Sequence, residues 1–382
     1  MDESENYGMY TEVDNNYLII DKIIEECKID IHYLNEFTNY EKIGEGGYGW
    51  VEKAEWKTRE STVALKSLKV KKSSNEILAR KFAREVQLLA KITKNSHSNI
   101  NQFYGVAKDL DRQIYYLILQ YANDGNLREY LEKNFTKLTW DDKLNKSLNL
   151  ATGLEYLHKN KIIHRDLHSK NILVHNGTVL IADFGISKLA DGKSMNTSST
   201  GHGIPAYVDP QYLKDNRYER DEKSDIYSLG VLFWEISSGL PPFKYLTDIP
   251  QIIYQIFQGR RELPVVGSPE SYVQLYIRCW DEEPDNRPDI QEVVEALQLI
   301  SKELSNEPIQ LFATEVSQSV HATPFLSKTY NYHKAKSLNK QLDFQNLSKL
   351  DTFGKRKFLI FFLRLFLPNA TSYILLHGPT NR

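Results

Sequence analysis

The sequence predicts an α+β fold in two lobes, a small sheet-rich one followed by a larger helical one. Two observations carry this reading. Short β-rich segments punctuated by glycines and polar turns fill residues 40–120, and after Gly125 the apolar residues recur at helical spacing. Charge marks the limits. Residues 37–301 carry 35 side chains of each sign, whereas 1–36 carry two basic against ten acidic, and 302–382 eleven basic against five acidic. A balanced body of 37–301 with an acidic extension and a basic tail is the expected organisation.

Along the chain, 1–16 lack any apolar period, and Ile20, Ile23, Ile24 and Cys27 then fit an amphipathic helix over 17–28. Two readings of that helix stay open, packing on its own domain or docking a partner. Tyr40–Ile43, Trp50–Trp56 and Ser61–Leu68 read as strands, and Phe82, Val86, Leu89 and Ala90 as one helical stripe. Phe103–Val106 and Ile114–Gln120 read as further strands, then Asn126–Lys133 and Trp140–Lys159 as helices. Helices continue from Ser187 to about Ser301, broken by proline-containing loops. The tail has no sustained period over 302–354, the composition of a disordered segment. Its end, Lys355 to Arg364, is basic and then apolar, a pattern suited to weak contact with an anionic membrane surface.

Bulk chemistry excludes several function classes. The net charge of −2 gives no basis for nucleic-acid binding. Two cysteines, Cys27 and Cys279, supply no disulfide framework, and the acidic N-terminus lacks the basic and apolar regions of a secretion signal. The longest apolar run, Phe358–Leu367, has ten residues including Arg364, too short for a transmembrane segment. A cytoplasmic protein is expected.

The chemistry begins at Gly44-Glu45-Gly46-Gly47-Tyr48-Gly49-Trp50-Val51. Glycines at i, i+2 and i+5 let backbone N–H groups approach phosphates without side-chain obstruction. A dinucleotide-binding turn shares that spacing but leads from strand to helix, whereas here a strand follows. No Lys-Ser/Thr follows the last glycine, which excludes a Walker A loop. Fifteen residues beyond Val51, Lys66 sits in the apolar strand Val63-Ala64-Leu65-Lys66, where an ammonium needs a counter-charge. Glu85 on the next helix supplies one.

The polar run His164-Arg165-Asp166-Leu167-His168-Ser169-Lys170-Asn171 lies between apolar brackets. Asp166 is suited to accept a hydroxyl hydrogen bond, Lys170 to reach a transferred phosphoryl group, and Asn171 to offer a neutral oxygen to Mg²⁺. Asp183, in Ala182-Asp183-Phe184-Gly185, adds a carboxylate after an apolar strand. Any one of these motifs arises by chance. All four in this order do not.

Together these residues resemble the eukaryotic protein kinase family over about residues 37–301. The resemblance implies a bilobal kinase fold that binds ATP and Mg²⁺ between its lobes and phosphorylates a protein substrate. Lys66 would contact the α/β phosphates with Glu85 as its ion-pair partner. Asp166 would be the catalytic base, and Asn171 and Asp183 the Mg²⁺ ligands. The nucleotide would be enclosed by Gly44, Glu45, Gly46, Gly47, Tyr48, Gly49, Val51, Ala64 and Leu173. Gln120-Tyr121-Ala122 would form the adenine-binding hinge, with Leu119 as gatekeeper. Asp225 resembles the large-lobe aspartate that supports the catalytic loop, and Cys279-Trp280 through Arg287-Pro288 resembles the ending of tyrosine kinases and the tyrosine-kinase-like group. The catalytic run also looks like that group, including expanded fungal kinase families.

Three departures stand out. The family's Ala-Pro-Glu appears as Asp209-Pro210-Gln211, which removes the carboxylate that normally pairs with the arginine matched by Arg287, so a looser anchor is expected. His168 and Ile204 stand where serine/threonine kinases usually place Lys and Thr, and Ala206-Tyr207 where tyrosine kinases place Lys-Trp. The group resemblance favours Ser/Thr hydroxyls over Tyr. Arg165 precedes the catalytic aspartate, a placement that in the family receives an activation-loop phosphate, and Ser194 and Thr197–Thr200 are candidate phosphate carriers. A pseudokinase scaffold is the reading from another class, opposed by the complete set of transfer residues.

Overall fold

A computed structural model describes residues 18–46, 49–67, 76–109, 111–112, 114–185, 187–189 and 204–306. The first helix, α1 (18–26), buries Ile20 and Ile24, one turn apart, as the apolar spacing predicts. It ends where Lys28 turns left-handed (φ 52°) and Ile29 N–H reaches back to the Ile24 carbonyl. The chain then enters β1 (Ile31–Tyr33) and a single 3₁₀ turn (Leu34–Glu36).

Six strands form the small-lobe sheet: β1, β2 (Phe37–Gly46), β3 (Gly49–Trp56), β4 (Ser61–Ser67), β5 (Phe103–Asp109) and β6 (Ile114–Gln120), in the order β1-β5-β6-β4-β3-β2. β1 pairs parallel to β5, and the other pairs are antiparallel. The sheet thus takes in a strand upstream of residue 37. Alternation sorts the side chains: Ala54, Trp56, Val63, Leu65, Tyr116 and Ile118 pack with Phe37 on one face. Tyr115 and Leu117 join Phe82 and Val86 of α2 (Glu76–Thr93) in the main core, which continues into the large lobe.

That lobe contains α3 (Leu127–Asn134), α4 (Trp140–Lys159), β7 (Ile162–Ile163), the hairpin β8 (Ile172–His175) and β9 (Thr178–Ile181), and β10 (Lys188–Leu189) paired with β7. It closes with α5 (Pro210–Lys214), α6 (Glu222–Ser238), α7 (Ile249–Phe257), α8 (Glu270–Cys279) and α9 (Ile290–Asn306). α4 starts at a capping box between Thr139 and Asp142. α6 is buried almost all round, from Ser224 to Ser237, and α8 and α4 pack against it. Gly239 ends it at φ 69°, where any Cβ would strike the Phe135 ring at 2.3 Å. Among the described residues no helix is long and apolar enough to cross a membrane. The closing stretch proposed for membrane contact lies outside the described residues.

Candidate active site

Between the lobes lies a cavity of about 660 Å³. Ile43, Gly44 and Val51 of the β2–β3 hairpin line it, with Ala64 and Lys66 of β4, Glu85 and Leu89 of α2, and Leu173 of β8. Leu119, Gln120, Tyr121 and Ala122 continue the wall from β6 into the connection to α3. Ala64 and Leu119 are direct cross-strand partners, so the two small-lobe strands bring an alanine and a leucine side by side. A slot that is apolar at its hinge end and charged at the other suits a ligand with a flat ring and an anionic tail.

The charged end centres on Lys66. Its Nζ donates to Glu85 Oε1 at 2.8 Å and to Asp183 Oδ1 at 3.0 Å. Burial works against the ammonium, yet the neighbouring Asp183 and Glu85 carboxylates outweigh it and hold its pKa above the ordinary lysine value. The Lys66 charge in turn holds the Asp183 carboxyl below the usual range. Asp183 stands at φ 61°, and both of its hydrogen bonds among the described residues, from Lys66 and from Gly185 N–H, fall on Oδ1.

The adjoining loop is built around one buried carboxylate. Asp225 of α6 accepts the backbone N–H groups of His164 and Arg165, each at 2.8 Å, and lies 3.0 Å from His158 Nε2. Burial would raise its pKa, but the hydrogen bond and charge of His158 and the loop N–H groups bring it below the usual range. Gripped this way, Arg165 adopts φ 71°. Asn171 folds back over Asp166: its Nδ2 donates to the Asp166 carbonyl at 3.0 Å and to Asp166 Oδ2 at 3.1 Å. That orientation leaves the Asn171 amide oxygen as the atom for a ligand. His168 accepts the Asn171 N–H on Nδ1, and its Nε2 stands 3.7 Å from Asp166 Oδ1, too far for a hydrogen bond. Burial lowers the His168 pKa, so a neutral ring occupies the place where a lysine is usual.

These oxygens fit a hard divalent cation, with one limit. Among the described residues no group of three or more His, Cys, Asp or Glu is arranged to hold a metal. Asp183 and Asn171 would therefore supply only part of a coordination sphere, and phosphate oxygens and water the rest, the usual habit of Mg²⁺.

Most predicted site residues converge here. Lys170, Asn171, Asp183 and the hinge line the cavity, with Asp166 joined to it through Asn171. Gly46 pairs with Gly49 at the tip of the hairpin, so the glycine loop joins two strands. Gly49 permits a close approach, since a Cβ there would meet the Ser67 carbonyl oxygen at 2.0 Å. Glu45 faces outward in a 2.6 Å ion pair with Lys42 and is not part of the cavity lining. Gly47, Tyr48, Ser194 and Thr197–Thr200 lie outside the described residues. Arg165 packs beside Arg220, each guanidinium donating to the other residue's carbonyl.

The expected looseness around Gln211 is corrected by the geometry. Arg287 makes a bidentate pair with Asp209, Nη1 to Oδ2 at 2.7 Å and Nη2 to Oδ1 at 3.1 Å, and both side chains are fully buried. The carboxylate missing at 211 is supplied from two residues upstream, while Gln211 Nε2 donates to the Glu282 carbonyl at 3.0 Å. Nearby, Tyr207 donates to Glu235, and Arg128 donates to both Tyr207 and Glu235, which ties the segment after the activation loop to α3 and α6. Sequence reasoning missed Asp209, His158 and Ile43. An acid two residues before a missing acid was a signal for the first, and an apolar residue leading into the glycine loop for the last. Nothing in the sequence marked His158.

A sheet-rich lobe over a helical one, with a Lys–Glu pair facing an Asp and an Asn on adjoining loops, defines a protein kinase. A family model described as protein tyrosine and serine/threonine kinase matches residues 37–297. The chain belongs to that family, and its relatives place it with the tyrosine-kinase-like type. It is similar to three kinases of Arabidopsis thaliana: serine/threonine-protein kinase STY46 (29% identical over 70% of this chain and 44% of that protein), serine/threonine/tyrosine-protein kinase HT1 (32% over 67% and 64%), and serine/threonine-protein kinase VIK (31% over 71% and 62%). The chain spans less than two thirds of the length of each of these relatives.

Proposed function

We propose that this chain transfers the γ-phosphoryl group of ATP to serine and threonine hydroxyls of a protein substrate, with Mg²⁺ and in the cytoplasm. The observation that carries this reading is Lys66 held between Glu85 and Asp183 at the mouth of an apolar slot, with Asp166 and Asn171 alongside. ATP supplies the phosphoryl group, and Mg²⁺ offsets the charge on its phosphate oxygens. Lys66 binds the α/β phosphates, and Glu85 keeps its amine aimed into the cavity. Asp183 and Asn171 hold the cation through oxygens that no other side chain among the described residues engages. Asp166 accepts the hydrogen of the incoming hydroxyl and orients its oxygen, and Lys170 steadies the charge that develops on the moving group. The hinge backbone at Gln120–Ala122 binds adenine, and Leu119 sets the depth of the slot.

The preference for Ser/Thr rests on the relatives, two of them named serine/threonine-protein kinases and one a serine/threonine/tyrosine-protein kinase. Purified chain incubated with Mg²⁺, radiolabelled ATP and mixed peptides, followed by phosphoamino-acid analysis, tests it. Label in serine and threonine is expected, and none with Asp183→Asn. Label in tyrosine alone overturns the substrate class. No incorporation by the wild-type chain favours a scaffold of the same fold.

A further inference from the structure

Residues 18–36 precede the stretch that matches the family, yet they are bound to the small lobe at several independent points. We propose that they are a positioning element of the catalytic domain, fixing α2 from outside and so holding Glu85 against Lys66. This rests on the phosphotransfer reading of the site.

The apolar face of α1 is covered by the domain itself: Ile20 is 1% exposed and Ile24 2%, in one continuous core with Phe82 and Val86 of α2. A polar contact fixes the register of that packing. Tyr115 Oη donates to Asp21 Oδ1 at 2.5 Å, and Lys108 reaches the same carboxylate at 3.6 Å while lying 5.0 Å above the Tyr115 ring. The Tyr115 ring is in turn 6.3 Å from the Phe82 ring. Phe82 and Glu85 are three residues apart, on one side of α2. A short chain of contacts therefore runs from Asp21 through Tyr115 and Phe82 to Glu85 and the Lys66 ammonium.

The body of the domain is shaped to receive this segment. Gly105 of β5 has φ 145°, and a Cβ there would lie 2.6 Å from the Asp30 carbonyl oxygen, the atom that accepts Val106 N–H at 3.0 Å. A residue deep in the domain is thus fitted to the backbone of the extension. Downstream, Glu36 accepts Tyr33 N–H and lies 2.9 Å from His32 Nδ1, and the Trp56 indole donates to it across the sheet. The segment is tethered at Asp21, at the Asp30 carbonyl and at Glu36, so it cannot act as a free appendage without these contacts opening.

The test uses the full chain. In Ile20→Asp/Ile24→Asp, two buried charges expel α1 from its site. Backbone amides of 76–93 are then expected to exchange with deuterium at least about tenfold faster, those of 222–238 to stay unchanged, and kcat/KM for ATP to fall at least about tenfold, the size of effect that small misplacements of catalytic groups produce. Tyr115→Phe removes the hydrogen bond to Asp21 while keeping the ring, and about a threefold loss in the same ratio is expected from that bond. Unchanged α2 exchange in the double variant, or equal acceleration in α2 and α6, overturns the proposal. Should the double variant unfold outright, Tyr115→Phe decides: wild-type exchange and wild-type kcat/KM refute the positioning role. Absence of phosphate transfer by the wild-type chain speaks against the kinase reading alone, because α2 exchange reports the contact without catalysis.

Discussion

Two ion-paired clusters organise this molecule, and they differ in what surrounds them. Lys66 sits between Glu85 and Asp183 with 24% of its side chain exposed and with Asp183 46% exposed, open to the cavity. Arg287 and Asp209 are closed off completely, at 0% exposure each, and satisfy one another through two parallel hydrogen bonds. The open cluster holds two carboxylates against one ammonium, which leaves negative charge and unengaged oxygen facing the slot. The closed pair is electrically complete. Residue type alone does not separate a pair that awaits a ligand from one that fastens a segment, whereas stoichiometry and access do.

The largest effect should come from the open cluster. Asp183→Asn keeps the shape but removes the charge that balances Lys66 and that, on the proposed reading, attracts the cation. Phosphate transfer is expected to drop by at least about a thousandfold, some 4 kcal/mol of transition-state stabilisation. The melting temperature should shift little, because Asp183 is half exposed and Glu85 still pairs with Lys66. A variant that loses stability in proportion to activity would make this cluster a structural pair like the other, and the contrast would collapse.

Next comes the closed pair, with the opposite signature. Asp209→Ala strands a buried guanidinium, and breaking such a pair costs about 3–5 kcal/mol of stability. Denaturant titration reads that loss directly. The double variant Asp209→Ala/Gln211→Glu should regain part of it by returning the carboxylate to position 211. Gln211→Glu alone should do the reverse, since its side chain now donates to the Glu282 carbonyl and a carboxylate has no hydrogen to give.

These two regions were not equally legible. Lys66, Glu85, Asp166, Asn171 and Asp183 are far apart in sequence, but each carries its own local signature, and their order fixes one arrangement. The extents of β4 and α4 and the buried stripe of α2 followed from local apolar pattern for the same reason. The anchor was misjudged because its geometry depends on how Asp209 enters α5 at φ −49° and ψ 125°, which the residue string does not encode. Strand β1 has only three residues, too few for a period, and its place beside β5 depends on the Asp30 carbonyl accepting Val106 N–H beside Gly105, 75 residues downstream of Asp30. Contacts of backbone with backbone leave little trace in side-chain pattern.

A third, smaller effect separates support from chemistry. Asp225 takes three donors on two oxygens, with His164 N–H and His158 Nε2 on Oδ2 and Arg165 N–H on Oδ1. Asn has a single acceptor oxygen, so Asp225→Asn strands a buried donor and should cost about 1–3 kcal/mol. The pH dependence follows from the direction of its shift. A carboxyl depressed by folding contributes stability above its unfolded value, near 3.9, and loses that contribution as pH falls through the lower folded value. The melting temperature of the wild-type chain should therefore decline on acidification below about pH 4, and the decline should be shallower in Asp225→Asn. An equally steep acid limb in the variant would move that titration to other carboxylates.

The smallest effect is expected where an ion pair has neither burial nor a ligand to meet. Lys42 and Glu45 lie 2.6 Å apart on the β2 strand, but their side chains are 56% and 53% exposed. Water already solvates both groups, and pairs of this kind contribute less than about 1 kcal/mol. Lys42→Ala should leave the unfolding free energy within about 0.5 kcal/mol of wild type, read by denaturant titration. Glu45→Gln carries the sharper test, because Glu45 sits inside the glycine motif and yet faces away from the cavity. An unchanged KM for ATP confines the contribution of that loop to backbone and glycine. A rise of several-fold would bring the Glu45 side chain into the nucleotide site and show that short distance and sequence context outweigh exposure at this end of the molecule.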